Sequence, residues 1–324
     1  MRFTRTKDMS KCLKFFLPTV GLLLIVGGLV LAQQETSPTV TSSEEVILDE
    51  TVQPSDLEVS EPTLLPDNPF YFLKNWGRSI RLFFSFRPID KAKLRLKFAS
   101  EKLLEARKLA EKTRNSEIIK RAAENYQREI DKIKAVADKI KEKATENPEV
   151  GKFLDKFTKQ QILHEKILEK LQEQVPEEVF EKIKEARERH IQRFGEVMQK
   201  LEENKERIRE RIEKNLQELK GSKFKEFKNL EILKKIEEKV PEGAKQAIRA
   251  ARENILTRLK EKLERMSTTT QERFKDYAEK IRGDATEKLE IIQNLQSEIR
   301  TRTRERLEDI KEKILEKIER KPVK

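Results

Sequence analysis

Residues 167–188 read ILEKLQEQVPEEVFEKIKEARE, and residues 232–253, 65 positions later, read ILKKIEEKVPEGAKQAIRAARE. Eleven of the 22 aligned positions are identical. Lys- and Glu-rich helices match one another easily through composition alone, but a shared proline is harder to explain that way, because proline is costly inside a helix. Each copy therefore reads as one unit: a shorter helix, a corner at Val-Pro-Glu, then a long helix. Units of this kind bury their apolar faces only against their neighbours.

Outward from the repeat, the same punctuation recurs. Asn147-Pro148-Glu149, Val175-Pro176-Glu177 and Val240-Pro241-Glu242 each put proline at a helix start with a carboxylate in the first turn, where the helix dipole favours it. Gly221-Ser222 and Gly283-Asp284 supply further turns. These breaks predict helices over about 88–112, 116–146, 149–174, 177–220, 223–239, 242–282 and 284–320. The 177–220 helix would be about 65 Å long at 1.5 Å per residue. Phe180, Ile183, Ile191, Phe194, Met198, Leu201, Ile208, Ile212, Leu216 and Leu219 form a narrow apolar seam along it. Ile292, Leu295, Ile299, Leu307, Ile310, Ile314 and Ile318 do the same in the last helix, as long antiparallel hairpins or coiled coils require.

Composition agrees with thin seams rather than a large core. Of 324 residues, 36% are hydrophobic and 40% charged, with 9 glycines and 11 prolines. The net charge of +12 is unevenly placed: residues 1–32 carry +4, residues 33–67 carry −9, and residues 68–324 carry +17. Arg2, Arg5, Lys7, Lys11 and Lys14 precede an uncharged apolar run from Phe15 to Ala32. Positive charge stays on the cytoplasmic side, so the body is expected outside the cytoplasm, with residues 1–32 a cleaved signal peptide or an N-terminal membrane anchor. Cys12, the sole cysteine, precedes that run and has no internal partner for a disulfide. Residues 33–67 hold Pro38, Pro54, Pro62 and Pro66 and no Lys or Arg, and read as an acidic disordered linker.

At Asn68-Pro69 the character changes. Residues 70–86 hold seven of the chain's twenty aromatics. At 100° per residue Phe72, Leu73, Trp76, Ile80, Phe83 and Phe84 share one helix face, with Lys74, Asn75, Arg78 and Arg81 opposite. Two readings compete. The apolar face either docks on the following helices and starts the bundle, with Trp76 buried, or lies in a membrane interface with the cations toward lipid head groups. Docking is the expectation, because a short helix is marginal alone and an amphipathic partner follows directly after the Pro88 turn.

The stretch LPDNPFYFLK at 65–74, continued by Ile80-Arg81-Leu82, the Pro88 turn and ASEKLLEA at 99–106, resembles the bacterial domain of unknown function numbered 5667. The resemblance implies an exported or membrane-anchored helical protein. It also implies a helix with a histidine about a dozen residues before a Val-Pro-Glu corner, as His164 stands before Val175. The second repeat has Asn229 at that position. The family supplies no activity.

Catalytic candidates do not emerge. His164 and His190 fall in different helices without compact ligand spacing and read as helix-surface or seam residues, so no metal and no cofactor are expected. Carboxylate pairs among 59 Asp and Glu are solvated helix faces. A glycine-rich phosphate loop, a nucleophile elbow and HExxH are all absent from the sequence. The expected fold is all-α, an elongated array of antiparallel helical hairpins with coiled-coil-like seams, after a disordered linker and the apolar N-terminal segment. Its parts would be a helical domain at 68–147, repeats at 148–221 and 222–286, and a C-terminal helix at 287–324. Pro69, Pro88, Pro148, Pro176 and Pro241 mark structural corners, and Phe72, Trp76, Ile80, Phe83 and Phe84 a candidate interface. The expected role is a non-enzymatic scaffold or interaction protein outside the cytoplasm. A basic envelope protein binding an anionic polymer or membrane surface, and a helical chaperone, are the alternatives. Partners would be a protein or other envelope component, an anionic polymer or membrane surface, or further copies joined through the helical seams.

Overall fold

The computed structural model describes residues 51–281, 283–296 and 301–319. The apolar segment within 1–32 and residues 33–50 of the acidic linker lie outside the described residues. Among the described residues the chain forms eleven α-helices and no strand. In chain order they are α1 (Tyr71–Phe83), α2 (Pro88–Lys112), α3 (Ser116–Ala137), α4 (Pro148–Gln174), α5 (Glu177–Leu201), α6 (Lys205–Glu218), α7 (Lys225–Lys239), α8 (Glu242–Arg265), α9 (Thr268–Lys280), α10 (Ala285–Gln296) and α11 (Thr301–Glu319).

The prolines mark starts for a physical reason: the first helical positions have no intrahelical use for their N–H. Pro88 and Pro148 open α2 and α4. Asn147 accepts the Glu149 amide at 2.9 Å, and Asn68, before Pro69, accepts the Phe70 amide at 2.8 Å. Pro176 and Pro241 are the residues capping α5 and α8, and the two corners have nearly the same backbone. Val175 and Pro176 sit at ψ 156° and 151°, Val240 and Pro241 at ψ 155° and 149°. In each copy the helices flanking the corner pack together: Arg187 reaches back to Gln172 (2.5 Å), and its repeat equivalent Arg252 reaches back to Glu237 (3.0 Å).

Helices α2 to α5 build a four-helix bundle. The short 113–115 connection makes α2 and α3 antiparallel, while α4 runs alongside α2 and α5 alongside α3, as the pairs Ser100 with Gln160 and Arg193 with Asp131 require. Leu96, Leu103, Tyr126, Ile133, Phe153, Phe157, Ile183 and Phe194 fill its interior. Each large apolar side chain so buried contributes about 1.5–3 kcal/mol. Helices α6 to α11 continue the array, with α6 packed on α8, α7 on α8 and α10 on α11. A buried ionic cluster joins the two repeats. Glu169 of α4 meets Lys228 (2.8 Å) and Lys235 (3.0 Å) of α7, and Lys235 also meets Glu231 (2.7 Å). Burial pushes the Glu169 carboxyl up, but Lys228 and Lys235 outweigh it and hold the group at about 2.

Three long helices expected from the sequence are in fact broken. The 177–220 helix stops at Leu201, and Asn204 caps a new one, accepting the Glu206 amide at 2.9 Å. The carbonyls freed at the end of α5 are taken by Lys143 (2.7 Å, to Lys200) and by the Ala144 amide (2.9 Å, to Leu201). Those donors come from a segment expected as the end of the third helix, but α3 ends at Ala137. The 242–282 helix breaks before Ser267, whose hydroxyl accepts the Thr270 amide at 3.3 Å. The last helix is two, α10 and α11, packed on each other.

The linker reading is also corrected over its described part. Residues 51–67 lie along the body, with Val52, Leu57 and Leu65 buried. Gln160 donates to the Leu57 carbonyl (2.8 Å) and Arg107 to that of Val52 (2.6 Å). Asp56, Glu58, Glu61 and Asp67 pair with Lys220, Lys156, Lys108 and Lys112. Such exposed pairs are worth little singly, so the buried leucines are the anchor and the charges set the path.

Candidate functional site

Helix α1 is amphipathic as the sequence predicts, and it is turned the other way round. Tyr71 and Arg78 are its buried residues. Arg78 donates from Nη2 to Glu105 (2.7 Å) and Glu101 (2.8 Å), from Nε to Glu101 (3.0 Å), and from Nη1 to Tyr71 (3.2 Å) and Asn75 (3.1 Å). Its guanidinium lies 5.7 Å from the centre of the buried Phe98 ring. Lys74 meets Glu105 at 2.7 Å, and Tyr71 donates to the same carboxylate. Burial alone would lower the Arg78 pKa; Glu105 and Glu101 outweigh it and raise it, so the cation is permanent. Burial likewise raises the Tyr71 phenol, and Glu105 adds to the rise.

The candidate interface of Phe72, Trp76, Ile80, Phe83 and Phe84 therefore faces outward, and the expectation that it docks on the following helices is overturned. Trp76 is 65% exposed and Phe83 76%. The cause lies in α2. Leu96, Ala99, Leu103, Leu104 and Ala106 of that helix are already buried in the hydrophobic core. What α2 offers to α1 is Glu101 and Glu105, one turn apart, and Glu105 is 1% exposed. A carboxylate so buried needs several charge-assisted donors, and the cationic face of α1 supplies them.

The resulting patch stands alone among the described residues. Nine large hydrophobic side chains are exposed among the described residues, and eight of them lie between Phe70 and Phe86; the ninth is Phe180. Between Asp67 and Asp90 the sequence holds no acidic residue but four cations, Lys74, Arg78, Arg81 and Arg87. Lys74 and Arg78 are committed to α2; Arg87 pairs with Asp90 (2.6 Å), and Arg81 has no ion-pair partner among the described residues. No helix among the described residues is long and apolar enough to cross a membrane.

A second cluster lies at the centre of the four-helix bundle, and the sequence reading missed it. Ser100 of α2, Tyr126 of α3, His164 of α4 and His190 of α5 meet there, one polar side chain from each helix. The histidines expected separately on surface or seam are both buried, with rings 5.9 Å apart. Proton positions follow from one fixed acceptor. His190 Nε2 faces the Gln161 carbonyl at 3.1 Å and must donate to it, so its Nδ1 accepts from the Tyr126 hydroxyl at 2.7 Å. Burial brings the His190 pKa down to about 3, despite the Gln161 carbonyl. Burial, with His190 beside it, puts His164 well below the usual histidine range. Both are neutral. No group of three or more metal-ligating side chains occurs among the described residues, and no described cavity reaches this layer. Its chemistry is that of a register lock: a one-residue slip of any helix would strand buried polar atoms. Seam spacing alone carried the signal, since His164 stands three and seven residues before the buried Ile167 and Leu171.

Comparison with known proteins agrees with the resemblance seen in the sequence. Residues 63–178 match the model of the family described as Domain of unknown function (DUF5667). The match spans the described part of the linker after residue 63, α1 to α4 and the first corner, so the aromatic helix and its α2 carboxylates fall inside it. No curated protein matches the chain. A cryo-EM structure of a de novo designed 16-helix transmembrane nanopore aligns at 14% identity over 72% of this chain and 65% of that chain, with a TM-score of 0.26. This chain thus spans less than two thirds of that chain's length, and the likeness is too low to carry an argument.

Proposed function

We propose that this chain is a non-enzymatic helical scaffold working outside the cytoplasm, membrane-tethered or secreted, and that the aromatic face of α1 lies in the interfacial layer of a lipid bilayer. The observation that supports the reading is the inverted seating of α1: its polar face is spent on Glu101 and Glu105, and its apolar face is left uncovered. Phe72, Leu73, Trp76, Ile80, Phe83 and Phe84 would contribute on the order of 10 kcal/mol gross if fully covered, at about 1.5–3 kcal/mol per large apolar side chain. Trp and Phe beside Arg, with no acid among them, is the composition of an interfacial helix. A basic flank and an apolar run at residues 2–32 would bring the same chain to a membrane. A chaperone would present apolar surface between hairpins, whereas here it is concentrated on one helix and its flanks.

Trp76 is the only tryptophan, so its emission reports this face alone. The full chain reconstituted in vesicles should show blue-shifted Trp76 emission that is quenched by brominated lipid acyl chains. Substituting Phe72, Phe83 and Phe84 together with serine should abolish both effects. Emission that stays red and unquenched in the intact chain would end the membrane reading.

A further inference from the structure

Where α1 ends and α2 begins, the aromatic face folds into a cleft of about 610 Å³. Its walls are apolar: Ile80, Phe84 and Phe86 from the end of α1 and the turn, and Leu94 from α2. Arg81, Ser85, Arg87 and Asp90 complete its lining. Ser85 is 9% exposed, and its Oγ has no hydrogen-bond partner. That atom is closed off from solvent, so the donors the cleft can offer are those of its arginines. Arg81 is exposed and has no ion-pair partner among the described residues. Arg87 gives Nε and Nη2 to Asp90 (2.6 and 3.0 Å), which leaves its Nη1 outside that pair. The Asp90 carboxylate is the one negative group in the cleft; the fork it accepts keeps it neutralised.

Resting on the membrane reading above, we propose that this cleft is a seat for one anionic phospholipid. The head-group phosphate takes the Arg81 guanidinium and Arg87 Nη1, while the upper acyl chain lies on Ile80, Phe84, Phe86 and Leu94. The chemistry matches on each side: a phosphodiester accepts several charge-assisted hydrogen bonds and arginine serves it by geometry as well as by charge. The hydrocarbon next to it covers rings that water now touches. A protein ligand would need carboxylates or phosphates spaced to the same two arginines plus an apolar anchor beside them; a bilayer presents both at once, at the depth where an interfacial helix lies.

The test uses the full chain in vesicles and separates the seat from general attraction between a basic body and an acidic surface. Trp76 lies one turn before Ile80 on the same face, so quenching by brominated lipid reads the lipid beside the cleft. Brominated phosphatidylglycerol and brominated phosphatidylcholine are compared at equal mole fraction. The seat predicts preference for the anionic lipid, about fivefold for each cation engaged. Arg81→Gln should remove most of that preference, and Arg114→Gln, the same charge change at an exposed position elsewhere, should leave it intact. Equal quenching by the two lipids, or a preference that Arg81→Gln lowers no more than Arg114→Gln does, would overturn the seat while leaving the membrane reading standing. Absence of quenching by either lipid would overturn both. A blue shift that tracks protein concentration without vesicles would assign the face to a second copy of the chain and overturn the seat.

Discussion

Replacing Arg78 with methionine should free α1 without unfolding the bundle. Arg78 makes five hydrogen bonds from one guanidinium, to Glu101, Glu105, Tyr71 and Asn75. Without it Glu105, 1% exposed, keeps only Lys74 and Tyr71 as partners. Breaking a buried pair by removing one member costs about 3–5 kcal/mol, because the remaining charge is left desolvated. The structure offers a cheaper escape. α1 packs chiefly on α2 and adds little to the main core, so it can swing away and let water reach Glu105. The loss should therefore appear as local opening. Native-state hydrogen exchange should show amides of Tyr71–Phe83 losing about two to three decades of protection, capped by the stability α1 has to lose, at 1.4 kcal/mol per decade. Amides of the α2 core from Leu96 to Leu109 should change by less than one decade. The double variant Arg78→Met with Glu105→Leu should recover most of the loss, since no charge is then stranded. Equal loss of protection in α1 and α2 would refute the reasoning, as would unchanged protection in α1.

Tyr126→Phe removes the donor to His190 Nδ1 and should lower global stability by about 1–3 kcal/mol in urea unfolding, with the fold retained. The same layer sets an acid limit. Both histidine pKa values are depressed in the fold, so their contribution is complete above the unfolded value of about 6.5 and is lost as pH falls toward 3, by up to about 1.4 kcal/mol per pH unit for each. Urea midpoints between pH 7 and 4 should fall accordingly. Glu287, pushed up to about 7 by burial against the pull of Lys235, opposes part of this, and Glu287→Gln should steepen the fall between pH 7 and 4.5. Gly195→Ala should destabilise by about 1–3 kcal/mol in the same assay despite alanine's better helix propensity. A Cβ there would stand 2.6 Å from Pro241 Cδ and 2.8 Å from Val240, neither of which can swing aside.

What was legible in the sequence, and what was not, divides along one physical line. Prolines and seams were readable because they act locally: Pro88, Pro148, Pro176 and Pro241 limit the chain at their own positions, and the apolar spacing of α4, α5, α7 and α8 names the buried side of each helix. The breaks at Asn204 and Ser267 were hidden because the caps are made by residues that also sit well on helix surfaces, and because the donors that complete the first break, Lys143 and Ala144, come from some 60 residues upstream. The polar layer needed four helices at once, so neither histidine carried it alone. α1 is the sharpest case. Its amphipathic pattern was read correctly, and its orientation was assigned from the rule that apolar faces turn inward. That rule holds when the neighbour has an apolar face to spare. α2 had committed its own to the core and kept Glu101 and Glu105 for α1, so the buried carboxylate decided the orientation and the aromatics were turned out. A helix seated by its charges in this way leaves the hydrophobic term uncollected by the fold, and on that account the exposed face of α1 is where, among the described residues, large apolar surface is left to cover.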